Sequence, residues 1–309
     1  MKNKESNFVS TVLYIHNNEQ NIAAFIENLN TVLADNFKKY EIICVNDFSE
    51  DGGCEKIKEA AKIIGAGAVV LINTGFYQGL ESAIIAGVDF ASGDFVFEFD
   101  SINYDYNMSL VMDVYNRCIS GCDIVGAASR AKQRSSSRMF YSLFNKYGRV
   151  QFKIHTESFR ILSRRAINRI NQMCLTIPYR KAIYANCGLK YDFISYEPQQ
   201  SVRTTQKVNS SYRQGLALDS FIIFTDIAYK ISLFLTMLMM GFSAFVGIYT
   251  LVVFLRGNPV AGWATTMILL SIGFFGIFGV LSIVIKYLAV IVGLIFKKTK
   301  YIVGNIEKL

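Results

Sequence analysis

The stretch YEIICVNDFSEDGG, residues 40–53, decides the fold. Its first seven residues form an unbroken run rich in apolar and β-branched side chains, which ends in Asn46-Asp47. A short polar loop and two glycines follow, and at Gly53 an amphipathic stretch begins. A strand with no polar face is a strand buried on both faces, the situation of a parallel sheet covered by helices. The same alternation recurs around it. FVSTVLYI (8–15) precedes a helix expected over about 19–33, AVVLIN (68–73) one over about 77–88, and DFVFEFD (94–100) one from about Ser109. This βα repeat predicts an α/β domain with a mostly parallel, Rossmann-like sheet, whose ligands sit beyond the carboxyl ends of the strands.

Those ends are unusually polar. Asn18-Glu19 follows the first strand, Asn46-Asp47 through Asp51-Gly-Gly the second, Asn73-Thr-Gly75 the third, and Asp100 closes the fourth. Each alone is an ordinary turn former. Four strands converging on one such rim mark it as the candidate site.

The last third of the chain has a different character. Residues 232–255 (SLFLTMLMMGFSAFVGIYTLVVFL) run 24 residues without a charge, and 263–285 run another 23. Roughly 20 apolar helical residues span a hydrocarbon core of about 30 Å, so each run is long enough to cross a bilayer. Only Arg256-Gly-Asn-Pro-Val-Ala-Gly262 separates them, and its Gly and Pro suit a tight reversal. Lys and Arg cluster before and after the pair (Arg203, Lys207, Arg213, Lys230; Lys286, Lys297, Lys298, Lys300) against Arg256 alone in the loop, which puts both termini on the cytosolic side. No signal-peptide pattern precedes the first strand. The expected organisation is a soluble domain over 1–208, an interfacial helix over 209–231, crossings over 232–255 and 263–285 around a turn at 256–262, and a juxtamembrane segment and cytosolic tail over 286–309. Gly273, Gly276 and Gly279, three apart, offer a small-residue face to a neighbouring helix, from the hairpin itself or from another subunit.

Composition narrows the function. The net charge of +8 arises from 32 basic and 24 acidic residues with no basic cluster interleaved with aromatics, which argues against nucleic acid. Much of the excess flanks the apolar runs, where each Lys or Arg near an anionic leaflet contributes about 1 kcal/mol, so a membrane surface is the expected partner. Six scattered cysteines without a CxxC pair, and two histidines (His16, His155), argue against a zinc site and against disulfides in a cytosolic domain.

The order of motifs resembles family 2 glycosyltransferases of the GT-A fold, and among them the polyprenyl-phosphate glycosyltransferases similar to dolichyl-phosphate mannose synthase and GtrB-type enzymes. LYIHNNEQNI resembles their opening Asn-Glu motif, VNDFSEDG their V-D-D-G-S-x-D-G loop, and NTGFYQGLESAIIAG their N-x-G-x-x-x-A-L-x-x-G segment. SFRILSRRA is similar to their D-F-R-L-x-S-R-R, and IKYLAVIVGLIFKKTKYIV to the closing segment of the two-helix members. The resemblance implies that Asp47 holds the nucleotide base with Asn18 and Glu19 in the same pocket and Asn73 and Gly75 beside it. It implies that Asp100 opens the D-x-D metal motif, for Mg²⁺ or Mn²⁺, whose hard oxygen ligands would offset charge on a diphosphate leaving group. Arg130, Arg134 and Arg160 match basic positions able to fork onto phosphate oxygens. The implied setting is a bacterial inner membrane, with a UDP-sugar donor, a polyprenyl-phosphate acceptor, inverting transfer, and a homo-oligomer, for which GtrB-type relatives suggest a tetramer.

Two departures bear on mechanism. The family's D-A-D-x-Q-D stands as Asp100-Ser-Ile102-Asn-Tyr104-Asp105, so Ile102 replaces the second metal carboxylate. Asp105 is left as a second oxygen ligand, and a weak metal site or none is an equal reading. The Asp before Phe-Arg is Ser158, with Glu157 one residue earlier. A hydroxyl acceptor needs a general base worth roughly 10²- to 10⁴-fold, whereas a phosphate monoester, with a second pKa near about 6, is already ionised at neutral pH. The sequence therefore favours a polyprenyl-phosphate acceptor. A non-catalytic membrane scaffold that binds a nucleotide sugar is the alternative.

Overall fold

The computed structural model describes residues 4–64, 69–130, 156–173, 179–199 and 300–309, together with 142, 152 and a scatter of positions between 234 and 291. Four βα units open the chain: β1 (Glu5–Ile15) and α1 (Glu19–Asn36), β2 (Phe37–Asn46) and α2 (Gly53–Ile64), β3 (Val69–Thr74) and α3 (Leu80–Phe90), β4 (Phe95–Phe99) and α4 (Leu110–Ile119). Then come β5 (Ile124–Ser129), β6 (Glu157–Ser163), α5 (Arg164–Met173), α6 (Arg180–Asn186), β7 (Tyr191–Tyr196) and, at the end of the chain, β8 (Val303–Lys308). They build one eight-stranded sheet in the order β7-β5-β6-β4-β1-β2-β3-β8. β1, β2, β3 and β4 are mutually parallel and β7 runs parallel to β5, while β6 and β8 are antiparallel to their neighbours.

Alternate residues of the central strands feed two cores. Leu13, Ile42, Cys44, Leu71, Phe97 and Phe99 pack with Ile22, Phe25 and Leu29 of α1, Ile57 of α2 and Val111 and Val114 of α4. Val12, Ile43, Val45, Ile72 and Val96 pack on the other face with Ile84 of α3, Ile167 of α5 and Tyr184 of α6. This double coverage explains why the strands read as continuous apolar runs. The expected start of α3 near Tyr77 moves to Leu80, because Gln78 and Gly79 give their amides to Asp47 and Gly79 has φ +84°.

β8 has no counterpart among the expected strands. The tail returns to pair with β3, Val70 opposite Lys308 and Ile72 opposite Ile306, and so covers an edge that would otherwise be free. Ion pairs from Lys58 to Glu307 (2.7 Å) and from Lys300 to Asp89 (3.5 Å) hold it there.

The two apolar runs lie largely outside the described residues, and among the described residues no helix is long and apolar enough to cross a membrane. The described helical positions in them do meet. A Cβ built on Gly276 would stand 2.5 Å from Met239 Sδ, and one on Gly279 would stand 3.5 Å from Leu235 Cδ2.

Close packing gives a direct test of this layer order. A Cβ on Gly87 of α3 would lie 2.3 Å from Val12 Cγ1 and 2.9 Å from Val45 Cγ2. Gly87→Ala is expected to destabilise the domain by about 1–3 kcal/mol through overpacking, read as a lower apparent Tm in thermal unfolding of the full chain.

Candidate active site

The carboxyl ends of β1 to β4 form the predicted rim, and beneath its β4 end lies a buried lattice of charges. Glu98 and Arg160 are cross-strand partners on β4 and β6. Arg160, fully buried, donates from Nη1 to Glu98 (2.8 Å), from Nη2 to Asp100 (2.8 Å) and from Nε to Glu157 (2.8 Å). Arg180 of α6 makes a matching set, Nη1 to Glu98 (2.7 Å), Nη2 to Asp100 (2.9 Å) and Nε to Glu81 of α3 (2.8 Å). The hydroxyl of Tyr184 donates to the free oxygen of Glu98 (2.6 Å), and that of Tyr191 donates to Glu157. Gly126 of β5 makes room for Glu157, since a Cβ there would lie 2.7 Å from its carboxyl carbon.

The lattice joins two guanidiniums to four carboxylates, of which Asp100 is the most exposed, its side chain 15% exposed. Burial opposes ionisation of Asp100, but Arg160, Arg180 and Lys181 together outweigh it and hold its pKa below the ordinary carboxylate range. The result is a fixed, ionised carboxylate at the rim. Lys181, half-buried on α6, adds a positive charge near it.

The second cluster is built on Asp47. Its buried carboxylate accepts from the amides of Gln78 (2.8 Å) and Gly79 (2.8 Å), from Thr74 Oγ1 (3.2 Å) and from the Tyr14 hydroxyl (3.2 Å). The loops after β1 and β2 are stitched together around it. Glu19 accepts from the Gly52 amide (3.1 Å), Asp51 from the Glu19 amide (2.8 Å), and Asn17 from the Glu50 amide (2.9 Å).

The expected site residues take the following places. Asp47, expected to hold a nucleotide base, has a buried carboxylate that organises the β3–α3 turn. Asn18 accepts from the His16 amide (3.1 Å), Asn73 from Asn46 Nδ2 (2.9 Å), and the Gly75 amide donates to Ile302 in the tail (3.3 Å). Arg160, matched to phosphate contact, is buried and bonded to carboxylates instead. Glu157 is its partner and does not open onto the rim as a base. Arg130 pairs with Glu197 on the surface (3.2 Å), and Arg134 lies outside the described residues. Asp105 turns towards the Tyr196 hydroxyl (2.5 Å), which is also 2.5 Å from Ser158 Oγ, and towards Ser129. Among the described residues no three acidic, His or Cys side chains are grouped to hold a metal. Asp100, bonded to arginine at both oxygens, does not by itself make a divalent-cation site; Mg²⁺-type binding there would draw its other ligands from a donor phosphate and water.

Sequence reasoning did not single out Glu81, Glu98 and Tyr184. Glu98 carried a signal, a lone charge inside the apolar DFVFEFD, since a buried charge in a strand demands a partner. Arg180, 82 residues away in sequence, carried none.

The fold is a mostly parallel α/β sheet with a polar rim at its strand ends, and comparison with known proteins gives its family. The profile described as Glycosyl transferase family 2 matches residues 10–170, just over half of the chain, and the protein belongs to that family. The bactoprenol glucosyl transferase of Shigella phage SfV is 26% identical over 308 residues, covering 96% of this chain and 98% of the relative. The undecaprenyl-phosphate 4-deoxy-4-formamido-L-arabinose transferase of Aeromonas hydrophila is 29% identical over 166 residues, 53% of this chain and 50% of the relative. Among solved structures, a mannosyltransferase from Pyrobaculum calidifontis in complex with GDP-Man and Mn²⁺ shares the fold (TM-score 0.50, 14% identity, 71% of this chain and 63% of that one).

The lattice predicts how the rim fails. Arg180→Ala leaves Glu81, Glu98 and Asp100 short of a counter-charge and is expected to cost about 3–5 kcal/mol. Arg180→Lys will not restore it, because an ammonium cannot span three carboxylates as a fork does. Denaturant titration of both variants checks this. Because the folded Asp100 pKa is depressed, its stabilisation is complete above about pH 4 and is lost as pH falls towards the folded value. Asp100→Asn should flatten that acid limb.

Proposed function

We propose that this enzyme transfers a sugar from a nucleotide donor, a UDP-sugar, to polyprenyl phosphate at the cytosolic face of a bacterial membrane, giving a lipid-linked monosaccharide. The observation that carries the reading is where residues 200–299 attach. Gln199 donates its amide to the Asp105 carbonyl (2.7 Å), in the loop that follows Asp100. Ile302 re-enters beside Gly75 and Gln78, at the carboxyl end of β3. Both flanks of the apolar runs therefore join the sheet at the rim that carries Asp100. A chain that leaves and returns to one folded domain crosses a bilayer an even number of times, which supports a two-helix hairpin on grounds separate from the Lys and Arg count. The contacts of Gly276 with Met239 and Gly279 with Leu235 suit antiparallel helices, and the exposed Phe234, Phe245, Ile277 and Leu288 suit lipid contact. On this reading the rim that carries Asp100 faces the membrane surface, where a lipid phosphate lies.

The alignment with the SfV transferase extends through these runs, and its name gives a bactoprenol acceptor. In the proposed step a phosphate oxygen lone pair of the acceptor forms a bond to the anomeric carbon as the bond to the donor diphosphate breaks. That electron pair leaves with the nucleoside diphosphate, and the configuration inverts. The acceptor arrives ionised, so no proton has to be removed. This fits a site where Glu157 is sealed and Ser158 is bonded to Tyr196. The fixed Asp100 carboxylate orients the donor sugar, and Lys181 offsets charge nearby.

The test incubates the purified full chain with undecaprenyl phosphate and a panel of nucleotide sugars, with and without Mg²⁺ or Mn²⁺. Transfer from one donor, falling at least about 10²-fold in Asp100→Asn, is the expected result. No transfer from any donor, together with retained nucleotide-sugar binding, would establish the scaffold alternative instead.

A further inference from the structure

Two non-glycine residues among those described have left-handed backbones, Asn17 (φ +53°) and Phe48 (φ +54°), and they lie on the two stitched loops of the rim. Asn tolerates this conformation, whereas for a bulky aromatic it is a true outlier. Phe48 is not a core residue that packing alone would hold in this conformation, since it is half-exposed. Glycine would serve the fold better at that position. Strain of this kind, held in place by surrounding bonds, concentrates at ligand sites.

The ring has company. Asp47 binds the amides of Gln78 and Gly79, so Phe48 and Tyr77, each one residue from that link, share one stretch of rim. Tyr77 is partly exposed and its ring is set by His16 (centroids 4.7 Å apart, 49° between planes), whose Nδ1 is anchored on the Asp47 carbonyl (2.8 Å). Exposed aromatics on a rigid backbone suit a flat ligand.

We infer that the nucleobase of the donor is held by stacking on Phe48, with Tyr77 beside it, in place of hydrogen bonding to the inward-turned Asp47. This rests on the proposed nucleotide-sugar donor. Because every base has a π-face, such a site grips the base with little hydrogen-bond readout.

Calorimetric titration of the full-length protein in detergent with UDP, GDP, ADP and pyrophosphate tests it. Phe48→Gly is expected to weaken the tightest-binding nucleoside diphosphate roughly 5- to 150-fold. Its apparent Tm should equal or exceed that of the wild type, because glycine relieves the left-handed backbone. Pyrophosphate affinity should stay within about twofold, and Phe48→Tyr should bind within about threefold of wild type, since a phenol ring also stacks. Unchanged nucleotide affinity in Phe48→Gly would overturn the inference and leave the donor reading standing. Equal losses of nucleotide and pyrophosphate, or a raised KM for undecaprenyl phosphate with nucleotide affinity unchanged, would also overturn it. A wild-type protein that binds none of the nucleotides would overturn the donor reading and the role of Phe48 together.

Discussion

Everything at the rim depends on two arginines sunk among four carboxylates. Neither guanidinium touches solvent, and each bridges elements far apart in the chain: Arg160 joins β4 to β6, and Arg180 joins α6 to α3 and β4. A buried ion pair seldom adds net stability over an apolar substitute, because the desolvation of both ions offsets their attraction. What it does supply is geometry. Glu98 receives both arginines on one oxygen and Tyr184 on the other, so a shift of any one element leaves a charge unpaired in the core. Asp100, the most exposed member, inherits that rigidity.

Asp47 plays the same part for the other half of the rim, with backbone amides as its partners instead of arginines. By capturing Gln78 and Gly79 it delays the start of α3 and shapes the segment on which the tail lands. The Gln78 side chain accepts from the Ile302 amide (2.8 Å) and donates to its carbonyl (2.6 Å), while the Gln78 main chain is bonded to Asp47. One glutamine thus connects the returning chain to the β3–α3 turn, so that the tail and the turn are held as one unit at the carboxyl end of β3.

The central architecture was legible in the sequence because local signals and burial agree there. Apolar runs such as YEIICVN are strands only if helices cover both sheet faces, and the amphipathic stretches between them supply those helices. β8 was not legible for the opposite reason. Val303-Gly-Asn-Ile-Glu-Lys308 is half polar, has a weak strand pattern, and exists through pairing with β3 some 230 residues earlier in the chain. Within the site, Asp100, Glu157 and Arg160 were visible as residues but not as a lattice. Residue type and motif position cannot tell an arginine that meets a phosphate from one that holds a carboxylate. The difference lies in whether Arg180 and Glu98 close over it, and those contacts span 60 to 100 residues of chain.

The same conversion runs through the whole rim. Asp47, Glu19, Asn73, Gly75 and Arg160 match motif positions in the sequence, and in this protein their polar atoms are bonded to one another, to neighbouring side chains and to the backbone. Hydrogen-bonding groups so occupied give shape, while recognition passes to whatever remains exposed on that shape. Among the described rim residues that includes the carboxylate edge of Asp100, Lys181 next to it, Glu19 and Glu50, and the rings of Phe48, Phe76 and Tyr77. Such a surface reads a ligand by charge and by planarity more than by a pattern of donors and acceptors. A lipid phosphate acceptor is compatible with it, since that nucleophile needs no base and brings its own charge; an acceptor hydroxyl would need the sealed Glu157 or the bonded Ser158 to be released first.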